Sequence, residues 1–513
     1  MSDSRIPELN IASSERVKKV ATLAPGSTVY LCGICGTGMA AVAKLVKDLG
    51  YRVLGSDKAF YPPMGELVRG IADRLFEGYD AAHLQEEKID LVVVGNSVSQ
   101  GNPEVEYVLA QGINYASMPE VFAALLIGDR EACPLSIVVC GTHGKTTTAA
   151  AMATLLETAG RAPGFFIGGV PANLPANIRP VDKRIPQAHR AVVLEGDEYD
   201  SAFFAKWPKF HSYRPDIMLC TSVEFDHADI YQSLAEIELE FTRLARRVPA
   251  AGAIVIAESG GSLAKLIAEW RNDKQVKAEI LSYGNSEQAY ARLLSRKPVG
   301  KDGFAQQLKL RVGTEIFLAR TRLTGNHNAL NLLAAAAVAL RAGLSVAEVI
   351  NGIETFCGVK RRQEVIFDDK GVLVIEDFAH HPTAVEVTLS GIREAYGGRR
   401  IVAVFEPRSN TSRRQVFQED YIRSFSAADL VYIRELADKH VYSNTGEVQL
   451  IDVGVLAQQI AATGRPAFTF SEIDPFVTQL VPQLRSGDVL VLMSNGDFGG
   501  LMVNLVDALR KSL

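Results

Sequence analysis

The sequence predicts an α/β protein of three consecutive domains, and three observations carry that prediction. At 513 residues the chain exceeds what one hydrophobic core organises. Short apolar runs alternate with helical patterns along its length, the rhythm of strand-helix units. Two of these runs, ending near residues 32 and 140, lead straight into glycine-rich turns that open helices, as happens at the carboxyl ends of parallel strands. The units group into expected domains over 1–130, 131–358 and 359–513.

The first domain opens with an expected strand at 27–31, a turn and helix over 33–50, and a second strand at 51–54 that runs into Gly55, Ser56 and Asp57. Gly36, Gly38 and Ala41 fit G-x-G-x-x-A, and Asp57 lies where a ribose-binding carboxylate belongs. Alone, this unit suggests an NAD-dependent oxidoreductase, although the same geometry serves any diphosphate held at a helix N-terminus. A buried strand at 91–94 brings Gly95, Asn96 and Ser97 to the same sheet edge.

The second domain starts with GTHGKTTT at 141–148, between an apolar run at 137–140 and a helical pattern at 149–158. Gly141 and Gly144 let backbone N–H groups turn inward around oxygens, Lys145 reaches β and γ phosphates, and Thr146 suits Mg²⁺. A nucleoside triphosphate is the expected ligand. The usual pattern has a glycine where Val139 stands, so this is a shortened phosphate loop. A strand at 191–194 ends in EGDEYD, placing Glu195, Asp197, Glu198 and Asp200 together. Like charges ~4 Å apart repel by about 4 kcal/mol at an effective dielectric of 20, so the cluster calls for a cation. Another strand, at 217–221, brings Glu224, Asp226 and His227 to this edge, defining a candidate Mg²⁺ site. A helix over 324–344 carries His327, Asn328 and Asn331 in its first turns. Asn328 and Asn331 share a face suited to adenine or ribose; helix capping by Asn326 and Asn328 is the alternative.

The third domain begins near Gly358 with the basic run Lys360, Arg361, Arg362, and has expected strands at 372–375, 401–405, 430–433 and 489–493. Two strand ends are rich in functional groups, EDFAHHPTA at 376–384 and EPRSNTSRR at 406–414. Three sheets with polar strand ends are expected around one cleft.

Composition bounds the rest. A net charge of −5 gives no electrostatic ground for nucleic acid or anionic membrane. The first ten residues, MSDSRIPELN, lack an apolar signal core, and the longest apolar run, 332–340, is well short of the ~20 residues a membrane span needs, so a cytoplasmic location is expected. Cys32 and Cys35 have redox or zinc spacing but no second pair, and read as reduced loop residues.

The shortened phosphate loop, the acidic strand end, the Asp226-His227 pair, the H-N-x-x-N helix, the paired arginines and the D-x-x-H-H-P strand end occur in the order of the Mur ligases, which the chain resembles from about residue 33 to 500. The resemblance implies a Rossmann-like N-terminal domain that binds the UDP substrate, a P-loop ATPase-like central domain and a Rossmann-like C-terminal domain that binds the acceptor peptide. It assigns ATP to Gly141, Thr142, His143, Gly144, Lys145, Thr146, Thr147, His327, Asn328, Asn331, Arg361 and Arg362. Mg²⁺ falls to Thr146, Glu195 and His227. The UDP moiety falls to Gly33, Gly36, Thr37, Gly38, Met39, Asp57, Asn96 and Ser97, and the acceptor to Arg408, Ser409, Asn410 and Thr411. Lys145, His227, Asp377 and His380 are the implied catalytic residues.

Within the family, EYDSAFF at 198–204, EFDHADIY at 224–231, DFAHHPTA at 377–384 and EPRSNT at 406–411 resemble the branch active in peptidoglycan recycling. That branch joins L-Ala-γ-D-Glu-meso-diaminopimelate to UDP-N-acetylmuramate with ATP, through an acyl phosphate. The L-alanine-adding branch typically has ESD, D-Y-G-H-H-P and P-H-R-Y-T-R instead. Gly38, Gly196, Glu376 and Asp497 depart from the recycling pattern. An oxidoreductase would leave the second phosphate loop unexplained, and a nucleotide-gated binding protein would not need the acidic strand ends or His380 and His381.

Overall fold

The computed structural model describes residues 5–61, 64–128, 135–228, 230–259, 261–301, 303–435 and 449–512. The first sheet is all parallel, in the order Arg74–Glu77, Arg52–Asp57, Thr28–Cys32, Leu91–Val94, Tyr115–Ser117. Chain direction switches sides at Thr28–Cys32, so a crevice opens beyond the carboxyl ends of that strand and Leu91–Val94. Strands buried on both faces read as continuous apolar runs: Val29 and Leu31 join one core, Tyr30 and Cys32 the other.

The central sheet has ten strands, and its middle positions the chemistry. Leu135–Cys140 lies parallel between Ala191–Gly196 and Ile217–Cys220, with Cys140 in register with both Gly196 and Cys220. The phosphate loop, the acidic segment and the segment containing His227 therefore leave the sheet at one edge. Beyond Glu279–Gly284 the sheet continues as Ala291–Lys301, Phe304–Val312 and Glu315–Thr321, an antiparallel extension the apolar-run reading did not anticipate. Its strands bury only alternate residues, so they lack long apolar runs.

The third sheet runs Glu364–Asp369, Val372–Asp377, Asp488–Met493, Arg400–Phe405, Leu430–Arg434, Ala467–Phe470, all parallel except the first. Hydrophobic clusters cover both its faces. The expected α/β class with three sheets is what the chain adopts.

The first two domains share one continuous core, bridged by Phe122 and Phe166 with ring centroids 4.5 Å apart. A small hairpin, Asp200–Ala202 with Ala205–Pro208, presents Phe203 and Phe204 to the first domain. Phe204 meets Tyr115 edge-on at 4.9 Å, and the Arg16 guanidinium lies 4.8 Å over its ring. Arg16 is itself held by Glu120 at 3.0 Å. No helix among the described residues is long and apolar enough to cross a membrane.

Candidate active site

Helix Lys145–Thr158 starts directly at the phosphate loop and is buried from Thr146 to Leu156, which explains its uniform run of alanine and threonine. Gly144 has φ +81°, and a Cβ there would lie 2.7 Å from Asn331 Oδ1, so the loop and helix Gly325–Arg341 close-pack where only glycine fits. The neighbouring strand end braces the loop. Thr142 N–H donates to the Ser222 carbonyl at 2.9 Å and His143 N–H to Ser222 Oγ at 2.7 Å.

Lys145 Nζ contacts Glu198 Oε2 at 2.7 Å and donates to the Thr142 carbonyl at 3.4 Å. Burial alone would lower the ammonium pKa, but the carboxylates of Glu198, Asp197 and Glu195 outweigh it and raise it. Burial and the neighbouring Asp197 push the Glu198 carboxyl upward against the pull of Lys145. Thr146 Oγ1 donates to Glu195 Oε1 at 2.8 Å, and Glu195 Oε2 accepts from Gly168 N–H at 2.6 Å. Asp197, Glu198 and His227 offer ligand atoms within 4.8 Å of one another. Glu198 Oε1 is buried with no hydrogen-bond partner among the described residues. Hard oxygen donors around an orphaned carboxylate oxygen fit Mg²⁺. Thr146 with Glu195 could hold one such ion, and Asp197, Glu198 and His227 a second.

His227 adopts φ +53°, and its N–H donates to Asp226 Oδ1 at 2.6 Å. Asp226 is buried, which raises its carboxyl pKa, yet the imidazoles of His227, His380, His381 and His143 hold it well below the carboxylate range. Glu224 lies between domains: Thr383 Oγ1 donates to its Oε2 at 2.8 Å, and His143 Nε2 approaches the same oxygen at 3.3 Å. Burial opposes ionisation there, but these contacts bring its pKa to about 2.

From the third domain, Asp377, His380 and Arg362 enter the same space. Asp377 accepts from Gln363 N–H at 2.9 Å and Ala379 N–H at 2.7 Å, engaging both oxygens, while burial raises its pKa. His380 Nδ1 lies 3.1 Å from the Phe378 carbonyl, which can only accept; Nδ1 therefore carries the proton and Nε2 the lone pair. Burial lowers the His380 pKa. His381 instead caps helix Pro382–Ala395, its Nδ1 accepting from Thr383 N–H at 3.3 Å.

The paired arginines separate. Arg362 Nη2 comes within 3.4 Å of Thr146 Oγ1, whereas Arg361 turns away to Glu376 at 2.6 Å and the carbonyls of Ser494 and Gly496. On helix Gly325–Arg341, Asn331 Nδ2 donates to Asn328 Oδ1 at 3.4 Å, as their shared face predicts. Thr324, not Asn326 or Asn328, occupies the cap position. The half-buried His327 ring sits against Gly391 of the third domain, where burial lowers its pKa to about 4.

Phosphate loop, acidic segment, Asn328, Asn331, Arg362, Asp377 and His380 line one cavity of about 530 Å³, closed on the first-domain side by Thr37, Gly38 and Met118. Gly36 precedes helix Thr37–Asp48, and Asn96 and Ser97 are exposed on that edge. Two further first-domain residues have contacts within the protein. Met39 turns into the core at 5% exposure, and Asp57 uses its oxygens on Cys35 N–H at 2.7 Å and Lys58 N–H at 2.8 Å. Asp57 thus braces the turn with one backbone N–H on each oxygen. Arg408, Ser409, Asn410 and Thr411 stand on the third sheet's edge outside this cavity, with Thr411 buried and Ser409 Oγ donating to Ser412 Oγ at 2.9 Å.

Sequence reasoning did not assign Glu198 to Lys145, Glu224 to the domain contact, or Lys209, which pairs with Asp197 at 2.6 Å. EGDEYD was visible as a cluster, but which carboxylate turned inward was not. Lys209 carried no signal.

Three family models cover these domains: "Mur ligase family, catalytic domain" over 28–130, "Mur ligase middle domain" over 139–339 and "Mur ligase, glutamate ligase domain" over 361–496. The chain belongs to the Mur ligase family and is an ATP-dependent ligase that forms amide bonds. It is 36% identical, over 94% of its own length and 98% of the relative's, to the UDP-N-acetylmuramate–L-alanyl-γ-D-glutamyl-meso-2,6-diaminoheptandioate ligase of Escherichia coli K12. A UDP-N-acetylmuramate–L-alanine ligase from Symbiobacterium thermophilum is 32% identical over 94% of both chains. The crystal structure of a murein peptide ligase from Psychrobacter arcticus 273-4 superposes with a TM-score of 0.68 at 31% identity, covering 95% of this chain and 100% of that one.

Proposed function

We propose that the protein joins L-Ala-γ-D-Glu-meso-diaminopimelate to UDP-N-acetylmuramate with ATP, in peptidoglycan recycling in the cytoplasm. The observation that carries this reading is the one cavity where a phosphate loop, the N-terminus of a first-domain helix and His380 of the third domain meet. The named relatives supply the substrate class.

In this reading the first domain holds UDP-N-acetylmuramate, with its diphosphate at the start of helix Thr37–Asp48. The central domain holds ATP, with Asn328 and Asn331 toward the nucleoside and Arg362 beside the phosphate loop. Thr146 with Glu195, and Asp197, Glu198 and His227, would hold Mg²⁺, which neutralises phosphate charge when bound. The lactyl carboxylate attacks the γ-phosphorus, a C(O)–O–P bond forms, and the bond to ADP breaks. Lys145 balances charge on the transferring group. The L-alanyl amine of the tripeptide then attacks the activated carbonyl, and phosphate leaves from the tetrahedral adduct. Of the two groups expected to take the amine proton, His380 offers the Nε2 lone pair, whereas each Asp377 oxygen already accepts one backbone N–H. Closure of three domains around the cavity keeps water from the acyl phosphate.

The test is phosphate release from ATP with UDP-N-acetylmuramate and either the tripeptide or free L-alanine, with product masses. Turnover with the tripeptide and not with L-alanine is the expected result; turnover with L-alanine alone refutes the reading.

A further inference from the structure

Apart from the positions that suit Mg²⁺, the boundary between the central and third domains gathers a group of ligand atoms with a different chemistry. His143 comes from the phosphate loop, Glu224 from the segment after strand Ile217–Cys220, and His381 from the start of helix Pro382–Ala395. Their ligand atoms lie within 4.8 Å of one another. The two imidazole rings have centroids 4.8 Å apart, and His143 Nε2 stands 3.3 Å from Glu224 Oε2.

Hydrogen bonding leaves this group incomplete. Nε2 of both histidines is buried with no hydrogen-bond partner among the described residues, and His381 is only 5% exposed. Polar nitrogens buried in this way are costly unless something satisfies them. A proton does not serve, because burial and the neighbouring His143 lower the His381 pKa to about 4 and keep the ring neutral near neutral pH. A metal ion does. Ligands about 2.1 Å from a tetrahedral zinc stand about 3.4 Å apart. The 3.3 Å between His143 Nε2 and Glu224 Oε2 already matches one edge of such a site. Two imidazoles with one carboxylate suit zinc, whereas Mg²⁺ favours oxygen ligands and keeps its waters. His381 Nδ1 accepts from Thr383 N–H at 3.3 Å, so binding at Nε2 moves the ring proton to Nδ1 and exchanges one long capping bond for a metal bond. The fourth position would take water or an oxygen from the cavity that His143 and Glu224 line.

We propose that His143, Glu224 and His381 form a binding site for Zn²⁺ or a divalent cation of similar chemistry, which ties the phosphate loop to the third domain. The site shares no ligand with the two Mg²⁺ positions and requires none of the ligase substrates.

The experiment titrates the full-length protein with ZnCl₂ in excess MgCl₂, against a chromogenic chelator, for the native protein, Glu224→Gln, His381→Asn and His227→Asn. Asparagine is a preferred capping residue, so His381→Asn removes the ligand nitrogen and keeps an acceptor for the helix. Melting without metal is measured first, and either of the two ligand variants, once shown to be folded, decides the outcome. Glu224→Gln and His381→Asn are each expected to weaken the tightest Zn²⁺ site at least about tenfold. His227→Asn, which alters the group of Asp197 and Glu198, is expected to leave that site unchanged. In the native protein Zn²⁺ should slow hydrogen exchange at 141–146 and 378–384 together. Absence of Zn²⁺ binding, equal binding by the native protein and a folded ligand variant, loss in His227→Asn instead, or protection confined to one domain overturns the proposal. None of these readouts involves turnover, so the ligase reading stands or falls separately.

Discussion

Replacing Glu198 with glutamine tests the electrostatics at the centre of the site. The Lys145 and Glu198 side chains are 11% and 2% exposed, and their charged atoms are 2.7 Å apart. Glutamine keeps the shape and a hydrogen bond but leaves a buried ammonium short of one counter-charge. Removing one partner of a buried pair costs about 3–5 kcal/mol. Asp197 and Glu195 also face Lys145, which places the expected loss at the lower end, about 3 kcal/mol. Because the first two domains share one core they melt as a unit of about 350 residues, for which the fall is about 4 °C. A triphosphate brings negative charge to the same ammonium, so saturating ATP with EDTA present should stabilise Glu198→Gln more than the native protein. Differential scanning fluorimetry with and without ATP measures both quantities. A variant that melts within about 2 °C of native, or gains no more from ATP than native does, refutes the argument that Glu198 balances Lys145.

His380→Asn should lower kcat by about 10²–10⁴ if the ring takes the amine proton, with substrate KM values little changed in steady-state assays. Because burial lowers the His380 pKa from 6.5, the neutral ring persists below that pH, so the acid limb of the kcat profile should lie below 6.5; a limb above it contradicts the burial argument. Gly144→Ala sets a Cβ 2.7 Å from Asn331 Oδ1 at φ +81°, and should raise the ATP KM at least about tenfold while the UDP-substrate KM holds. Phe204→Ala removes the ring between Arg16 and Tyr115 and should cost about 1–2 kcal/mol for a half-buried phenylalanine, read as a loosened first domain by hydrogen exchange. His327 and His381 are held neutral, each with a pKa of about 4, below the unfolded value of 6.5. The unfolded chain therefore binds more protons in this window, so stability should decline from pH 6.5 toward 4 in urea titrations; a flat profile contradicts it.

What was legible in the sequence was what backbone periodicity and strand ends encode. The phosphate loop, EGDEYD and the Asp226-His227 pair could be placed on one edge because each follows an apolar strand, and the register of Cys140 with Gly196 and Cys220 puts them there. The antiparallel extension from Ala291 to Thr321 was missed because amphipathic strands lack long apolar runs. Side-chain direction was the other blind spot. Nothing in a glycine-turn motif tells that Asp57 folds back on Cys35 N–H, or that Met39 faces inward from a helix whose next turn is also core. Glu376 and Asp497, read as departures in the acceptor domain, each turn out to partner an arginine, Arg361 and Arg408 respectively.

The hinge shows why adjacent residues in one motif have different roles. Arg361 and Gln363 have φ of +62° and +52°, conformations that cost a non-glycine residue of order 1–2 kcal/mol each. These turns send Arg361 toward Glu376 and Arg362 toward Thr146, facing opposite sides of the domain boundary. Arg361 N–H donates to Glu364 at 2.7 Å, Phe378 N–H donates to the Arg361 carbonyl at 2.8 Å, and Gln363 N–H donates to Asp377 at 2.9 Å. Asp377 is thus the clasp that holds the hinge in its strained course. His381 caps the following helix, and His380, between them, keeps a nitrogen lone pair free beside the cavity. The Asp-x-x-His-His spacing fits that division: strand end, open loop and helix start lie within five residues, and each position meets a different part of the molecule.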